Sequence, residues 1–367
     1  VQTILALAAY YMLLTTSLRV VVLAGFFIGI LWFYWVGFSF RYYDFPNMQG
    51  VVSIFFASVY ALYFGAIGLS SNAYIRAIVL FGLSFISIFG FNWMVLELPL
   101  LFSYIGILKW QFALVLAVLA TVASLRHPAK YALLLLLLIG YDAKPSADLS
   151  SLKIKLVQTQ IPQEIKWLKE YRNSIIDENF AQIDSAIELG YDIVVLPEST
   201  FPLFLNYRED LLDELLQRSK KIAIVTGALF AEGRSSYNVT YIFDNERVQI
   251  AKKMVLVPFG EYVPLPDPLA SWINDAIFGG ASDYVASDTP TYFTIKETTF
   301  INAICYEATS SELFAADPSY MIAMSNNGWF TPSIEPSLQR LLMLFYAKKH
   351  HTVIYHSANV AGSGIIR

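Results

Sequence analysis

Residues 20–40 read VVVLAGFFIGILWFYWVGFSF, a run without a charge, closed by Arg19 on one side and Arg41 on the other. A helix needs about 20 apolar residues to cross the hydrocarbon core of a bilayer, and this run is long enough. Its neighbours repeat the pattern. Residues 45–75 are uncharged and include the apolar run 51–69, and residues 77–96 are uncharged between Arg76 and Glu97. Residues 1–18 and 110–125 are shorter apolar runs, and 131–141 is shorter still. One such run is equally a buried helix of a soluble protein, but five or six in succession are not. Spans are expected at about 1–16, 20–40, 50–69, 77–93, 110–125 and 131–141, with the Pro99-bearing stretch 97–109 as a re-entrant or interfacial piece.

The charges divide the same way. Only 15 % of the 367 residues are charged and 56 % are hydrophobic, against roughly 25 % charged in an average soluble domain. Residues 1–141 hold six basic and two acidic side chains, a net of +4, so the rest of the chain carries −8 to reach the overall −4. This is a lipid-facing front and a water-facing back. The acidic back argues against a nucleic-acid partner, and a single cysteine excludes an internal disulfide. With those spans, Arg19, Arg76, Arg126 and Lys130 share one side, while Arg41 and Lys109 lie opposite beside Asp44 and Glu97. The basic side is expected to be cytoplasmic, and six crossings then put the remainder on the outer side. The first run has no basic leader or cleavage site. Because the chain opens on Val1 and stops at Arg367 without a closing element, both ends are expected to be trimmed.

Residues 144–150 are polar, contain Pro145 and suit a linker between a membrane domain (1–143) and a second domain (151–367). In the latter, strands are expected at 152–158, 192–196, 222–229, 237–243, 247–255, 292–295, 300–305 and 320–325, with a hairpin turning at Asp244-Asn245. Helices are expected at 165–189, 211–220 and 337–349. Strands alternating with helices imply a layered α/β domain.

Three segments of this domain carry chemistry. Leu196-Pro197-Glu198-Ser199 puts an acid just past a buried strand. Lys253 stands eight residues before Glu261, and Ile304-Cys305-Tyr306-Glu307 puts the chain's one cysteine at a strand end. Catalytic groups of α/β sheets sit on loops at strand ends, held by a rigid core. A thiol is a strong nucleophile once it loses its proton. Glu198 is of the right type to act as its general base. Lys253 can stabilise the thiolate and then a tetrahedral oxyanion, with the Tyr306 backbone N–H as a second donor. Taken singly, Cys305 is a small buried hydrophobe, Glu198 a capping acid, and Glu261 and Glu307 surface acids. Lys252 adjoins Lys253, and on a strand the two point to opposite faces.

Together these segments resemble the nitrilase superfamily, whose triad is Glu–Lys–Cys. With the membrane front, the chain resembles the apolipoprotein N-acyltransferases, the last enzymes of bacterial lipoprotein maturation. The resemblance covers nearly the whole chain. Its most specific piece is 256–264, with the core Val-Pro-Phe-Gly-Glu-Tyr-Val-Pro; QTQIPQEIKW (158–167) is similar to the family's domain opening, and SNNGWF (325–330) to its segment after the last core strand. The resemblance implies an α-helical multispan membrane domain of about six spans followed by a nitrilase-like α-β-β-α sandwich, with more chain after residue 367. It implies a catalytic set of Glu198, Lys253 and Cys305, with Lys253 preferred over Lys252 for its spacing to Glu261. It places Glu261 and Glu307 in the pocket, orienting Lys253 or the substrate amine. Trp167, Tyr306 and Trp329 become pocket walls, and Tyr237-Asn238 fits a position near the site. Lys349 and Thr352 depart from the family pattern, which has an acid and an arginine there.

The implied reaction moves a fatty acyl chain from a phospholipid, through a Cys305 thioester, to the N-terminal cysteine amine of a diacylglyceryl lipoprotein. The implied place is the bacterial inner membrane, with the catalytic domain periplasmic and the protein a monomer. Two rival readings are a membrane-tethered amidase that passes the acyl group to water, and a non-catalytic membrane scaffold. No cofactor or metal is expected: there is no Walker-type glycine-rich loop, and His127, His350, His351 and His356 have no metal-ligand spacing. Finally, residues 262–287 mix prolines and apolar residues with Gly279-Gly280. They are expected to form a mobile lid whose Trp272 and Phe278 dip into the outer leaflet.

Overall fold

The computed structural model describes residues 1–43, 47–142, 146–258, 260–262, 268 and 284–367. The expected lid residues Trp272 and Phe278 lie outside this set, as do Gly279 and Gly280. The chain divides into two compact units, one of Val1–Ile88 with Asn92–Pro145, the other of Phe89–Phe91 with Ser146–Arg367.

The first unit is helical. It contains α1 (Gln2–Thr15), α2 (Leu18–Phe33, prolonged as a 3-10 helix over Tyr34–Tyr43), α3 (Met48–Gly65, prolonged over Ala66–Leu69), α4 (Ala73–Leu83), α5 (Lys109–Ser124) and a 3-10 helix at Pro128–Gly140. Among the described residues, Leu18–Tyr42 and Met48–Leu69 are long and apolar enough to cross a bilayer; the other four apolar helices are shorter. Large apolar side chains such as Ile4, Leu31, Leu62, Ile78 and Leu138 face outward, as lipid allows and water does not. α2 packs on α3 through glycine. A Cβ on Gly29 would lie 2.8 Å from Ala57 Cα, and one on Gly25 2.9 Å from Phe64 Cβ, so only small residues permit this approach.

One expected span is corrected. The run 77–93 is not a continuous helix, because α4 stops at Leu83 after eleven residues. The Ser84 hydroxyl bonds back to Phe81 O at 2.7 Å, and Lys109 Nζ takes Ser84 O at 2.6 Å while pairing with Glu97. The chain then turns through Phe89 and Gly90, with φ of +53° and +75°. An apolar run carries no mark of where a distant lysine will take over its terminal carbonyl. Elsewhere in this unit, too, side chains satisfy main-chain carbonyls, as a membrane interior requires. Arg76 donates to Ser70 O, Leu13 O and Thr16 O, and Tyr63 to Leu83 O.

Among the described residues, the second unit has two six-stranded sheets. The first runs β1 (Ile154–Leu156), β3 (Ile193–Val195), β5 (Ala223–Glu232), β6 (Ser235–Asp244), β7 (Arg247–Lys252), with β4 (Phe201–Phe204) also on β5. The second runs β12 (Gly364–Ile366), β11 (Val353–Asn359), β10 (Tyr320–Asn326), β9 (Thr298–Ile304), β8 (Tyr292–Ile295), with β2 (Gln158–Thr159) on β11. Helices are α6 (Gln163–Lys166), α7 (Lys169–Glu188), α8 (Glu209–Ser219) and α9 (Glu335–His350).

Strand alternation builds the layers. Ile193 and Val195 of β3 face the second sheet and pack with Phe300, Ile304, Met324 and Tyr355. Val194 faces the other way, into a cluster with Phe180 and Ile183 of α7 and Leu211 and Leu215 of α8. α9 covers β11 and β12 of the second sheet. The result is an α-β-β-α sandwich. Burial on both faces explains why β3 reads as a continuous apolar run. The β6–β7 hairpin turns on Asn245 and Glu246, both at positive φ, which matches the strand twist and lies one residue later than expected.

Two strands beyond α9 were not expected. All seven residues of β11 are buried, including His356, Ser357 and Asn359. Their polar atoms find partners from distant elements: His356 from Ser325 at 2.8 Å, Asn359 from Asn326 at 2.9 Å and Thr159 at 2.8 Å. The polar side chains of His356, Ser357 and Asn359 are tolerated inside a strand only because such partners are supplied.

Candidate active site

Strand ends deliver the three expected side chains to one place. Glu198 follows β3, Lys253 follows β7 and Cys305 follows β9. Glu198 is 8 % exposed and Lys253 1 %. Ser199 and Cys305 both sit at positive φ, +49° and +54°, a conformation that non-glycine residues adopt at a cost met by the surroundings.

Those surroundings are specific. Glu198 Oε2 accepts the Asn326 N–H at 2.9 Å and Oε1 accepts Asn238 Nδ2 at 2.8 Å. The Glu198 main-chain carbonyl accepts Lys166 Nζ at 3.0 Å. Gly227 of β5 makes room for this turn: a Cβ there would lie 2.5 Å from Ser199 N and 2.8 Å from Glu198 Cα. Lys253 Nζ is held by both oxygens of Glu261, at 2.7 and 2.9 Å. Glu261 in turn accepts the Val257 N–H at 2.9 Å and Asn238 Nδ2 at 3.3 Å, so Asn238 bridges the two acids. Glu307 accepts three main-chain N–H groups: Ile304 at 2.7 Å, Met254 at 2.6 Å and Val255 at 3.0 Å. It therefore ties the cysteine's strand end to the chain following Lys253, and its oxygens bond to backbone rather than to the lysine. Gln339 Nε2 lies 3.8 Å from Cys305 Sγ.

The electrostatics follow from burial and sign. Burial pushes the Cys305 thiol well above its ordinary range; Glu198 adds to this and Lys253 opposes it. Burial works to neutralise Lys253, but the charges of Glu261, Glu198, Cys305 and Glu307 overcome it and hold the ammonium charged far into the alkaline range. Burial pushes Glu307 up to about 7, against the pull of Lys253 and its three N–H donors. Burial lowers Lys166 to about 8, with Glu198 opposing. A buried, protonated thiol beside a fixed cation and a hydrogen-bonded carboxylate can lose its proton to that carboxylate as it attacks a carbonyl.

Other expected positions fall variously. Lys252 points away from the site, pairs with Glu232 at 2.7 Å and lies 3.9 Å over the Tyr237 ring. Tyr237 is thus on the outer side, while its neighbour Asn238 is in the site. Tyr306 packs: its ring stacks on Phe91 with centroids 5.6 Å apart, and its hydroxyl donates to Gly90 O at 3.2 Å. This is why Phe89–Phe91 belongs with the second unit. Trp167 is 36 % exposed at the end of α6, and Trp329 is half-buried in the turn after β10. Sequence reasoning missed Lys166, Asn326, Glu335 and Gln339 as individual site residues. Lys166 and Asn326 lie inside quoted family-like segments, and that was their only signal. Among the described residues, no group of three or more His, Cys, Asp or Glu is placed to hold a metal.

A sequence model of the apolipoprotein N-acyltransferase integral membrane domain matches residues 1–143. The apolipoprotein N-acyltransferase of Wolinella succinogenes is 44 % identical over 345 residues, covering 93 % of this chain and 83 % of the relative. The chain belongs to the apolipoprotein N-acyltransferase family. A second member, from Helicobacter pylori, is 37 % identical, covering 93 % of this chain and 82 % of its own. Among solved structures, the CN-hydrolase superfamily protein XC1258 from Xanthomonas campestris matches with a TM-score of 0.41 and 15 % identity, covering 58 % of this chain and 77 % of the other. As a family member with an integral membrane domain, this chain is a membrane protein.

Proposed function

We propose that this N-acyltransferase works by ping-pong acyl transfer through Cys305, for which the carrying observation is the convergence of Glu198, Lys253 and Cys305 at strand ends of a two-sheet sandwich. Cys305 Sγ attacks the ester carbonyl carbon of a phospholipid, and its proton passes to Glu198. Lys253 Nζ takes the oxyanion of the tetrahedral adduct, where a preformed cation stabilises charge as it develops. The ester C–O bond breaks, Glu198 returns the proton to the departing lysophospholipid oxygen, and a thioester remains. The N-terminal amine of the lipoprotein's cysteine then attacks the thioester carbonyl, gives a proton through Glu198 to the leaving thiolate, and departs as the amide.

Glu261 is the positioning residue for Lys253, and Glu307 for the Cys305 backbone. The basic side chains Arg19, Arg126 and Lys130 support a topology with the catalytic unit on the periplasmic side of the inner membrane.

Intact-mass measurement after incubation with phospholipid tests the reading. The wild type is expected to gain one fatty acyl increment, removed by a lipopeptide amine faster than by water; Cys305→Ala is expected to gain none and to be inactive. Removal by water alone would make the protein an amidase-type hydrolase, and no increment at all would leave it a scaffold.

A further inference from the structure

The first turn of α9 carries an acid that the mechanism above does not use. Glu335 is 1 % exposed, and among the described residues its Oε2 has no hydrogen-bond partner. Its main-chain N–H donates to Ser333 Oγ at 3.1 Å. Residues four apart share a helix face, and the residue four on is Gln339, whose Nε2 touches Cys305 Sγ at 3.8 Å. Gln339 is itself fixed, its Oε1 accepting Asn327 Nδ2 at 3.3 Å. The carboxyl is near enough to Cys305 and Glu198 for its charge to raise the thiol's proton affinity, and for Glu198 to raise its own. A buried carboxyl with an unused oxygen is destabilising unless a partner arrives. Lys253 and Lys166 are the buried cations of this site; the first is held by Glu261 and the second by the Glu198 carbonyl.

We propose that Glu335 is a subsite for a primary ammonium group of a substrate, held beside the Cys305 thiol by an ion pair with the free carboxylate oxygen. This rests on the acyl-transfer reading. In the empty site the acid is neutral near pH 7, since burial, reinforced by Glu198, pushes it up to about 8. Entry of an ammonium group releases that proton to solvent and supplies the missing partner. The same chemistry has two sources, the N-terminal amine of the acceptor and the amino head group of a donor phospholipid. In either case, the acid would act by positioning a substrate; in the acceptor case the ion-pair proton passes back to the Glu335 carboxylate, freeing the amine lone pair, and Glu198 remains the base for the attack itself.

The test uses the full chain in detergent or nanodiscs, with Glu335→Gln, which preserves shape, and Glu335→Asp, which preserves charge. In the acceptor arm, the preformed thioester is given a lipopeptide amine or the neutral nucleophile hydroxylamine. In the donor arm, thioester formation is compared between phosphatidylethanolamine and phosphatidylglycerol. For an acceptor subsite, Glu335→Gln raises KM for the lipopeptide at least tenfold more than it slows hydroxylamine cleavage, and Glu335→Asp restores part of it. For a head-group subsite, Glu335→Gln removes a wild-type preference for phosphatidylethanolamine, again partly restored by Asp. If Glu335→Gln behaves as wild type in both arms, or slows every reaction equally, the subsite is refuted. A wild type in which Cys305 never gains an acyl group would instead refute the reading on which it rests.

Discussion

The two units handle buried polar groups in opposite ways. In the helical unit they are consumed by the fold: Arg76 gives three donors to the carbonyls of Ser70, Leu13 and Thr16, and Tyr10 caps Leu96 O at 2.7 Å. In the sandwich some also serve the fold, as His356 and Asn359 do, but a set of them is gathered at strand ends around one thiol, with Lys253 clamped by Glu261 and an oxygen of Glu335 left unbonded. Where no water can satisfy a backbone group, side chains are spent on architecture. Where a rigid core of strands already satisfies its own backbone, they are free for chemistry.

Changing a cation in each unit breaks or sharpens this contrast. The largest effect is expected for Lys253→Ala, which should cost about 2.7–4 kcal/mol of transition-state stabilisation, a drop of 10²–10³-fold in kcat. Lys252→Ala, one residue away but facing Glu232, should stay within a few-fold. Steady-state assays of both variants decide it, and a reversed ranking would assign the wrong lysine. Arg76→Met should act on stability instead: each carbonyl left buried and unpaired costs about 1–3 kcal/mol. Thermal unfolding in detergent should fall by several degrees, while thioester formed per folded molecule stays near wild type. Unchanged unfolding would mean that the helical unit does not depend on its buried cation.

The smallest effect is a pH slope in the sandwich. Burial lowers His356 to about 4, with the Gly362 carbonyl opposing, whereas an unfolded imidazole titrates near 6.5. The unfolded state therefore binds the extra proton between those values, and stability is lost as pH falls from about 6.5 to 4. At one unit below the unfolded value this is about 1.4 kcal/mol. His356→Gln should flatten that limb of the unfolding curve; an unaltered slope would place the acid sensitivity elsewhere.

Much of the site was legible because catalytic residue types stand at strand ends, and strands announce themselves by period. Glu198 and Cys305 each follow an apolar run, and Lys253 follows the alternating strand Arg247–Lys252. Asn238 was nameable only through resemblance, and Tyr237 beside it proved to face Lys252. Glu335 and Gln339 carried no signal, since an acid and an amide on a mixed helix look like a solvated face. The helix of 77–93 failed for a related reason: Ser84 gives its carbonyl to Lys109, which is 25 residues on.

Composition and order along the chain determined the two-solvent division, the layered α/β class of the second part and the three residues at its strand ends. These are local properties, set by how many consecutive side chains prefer lipid and by which face each strand residue must bury. Only the tertiary structure decided where α4 ends, that His356, Ser357 and Asn359 lie in a buried strand, and which acids meet the thiol. Each of those depends on a hydrogen-bond or ion-pair partner many residues away, and a single sequence does not record the distance at which its polar groups will find one another.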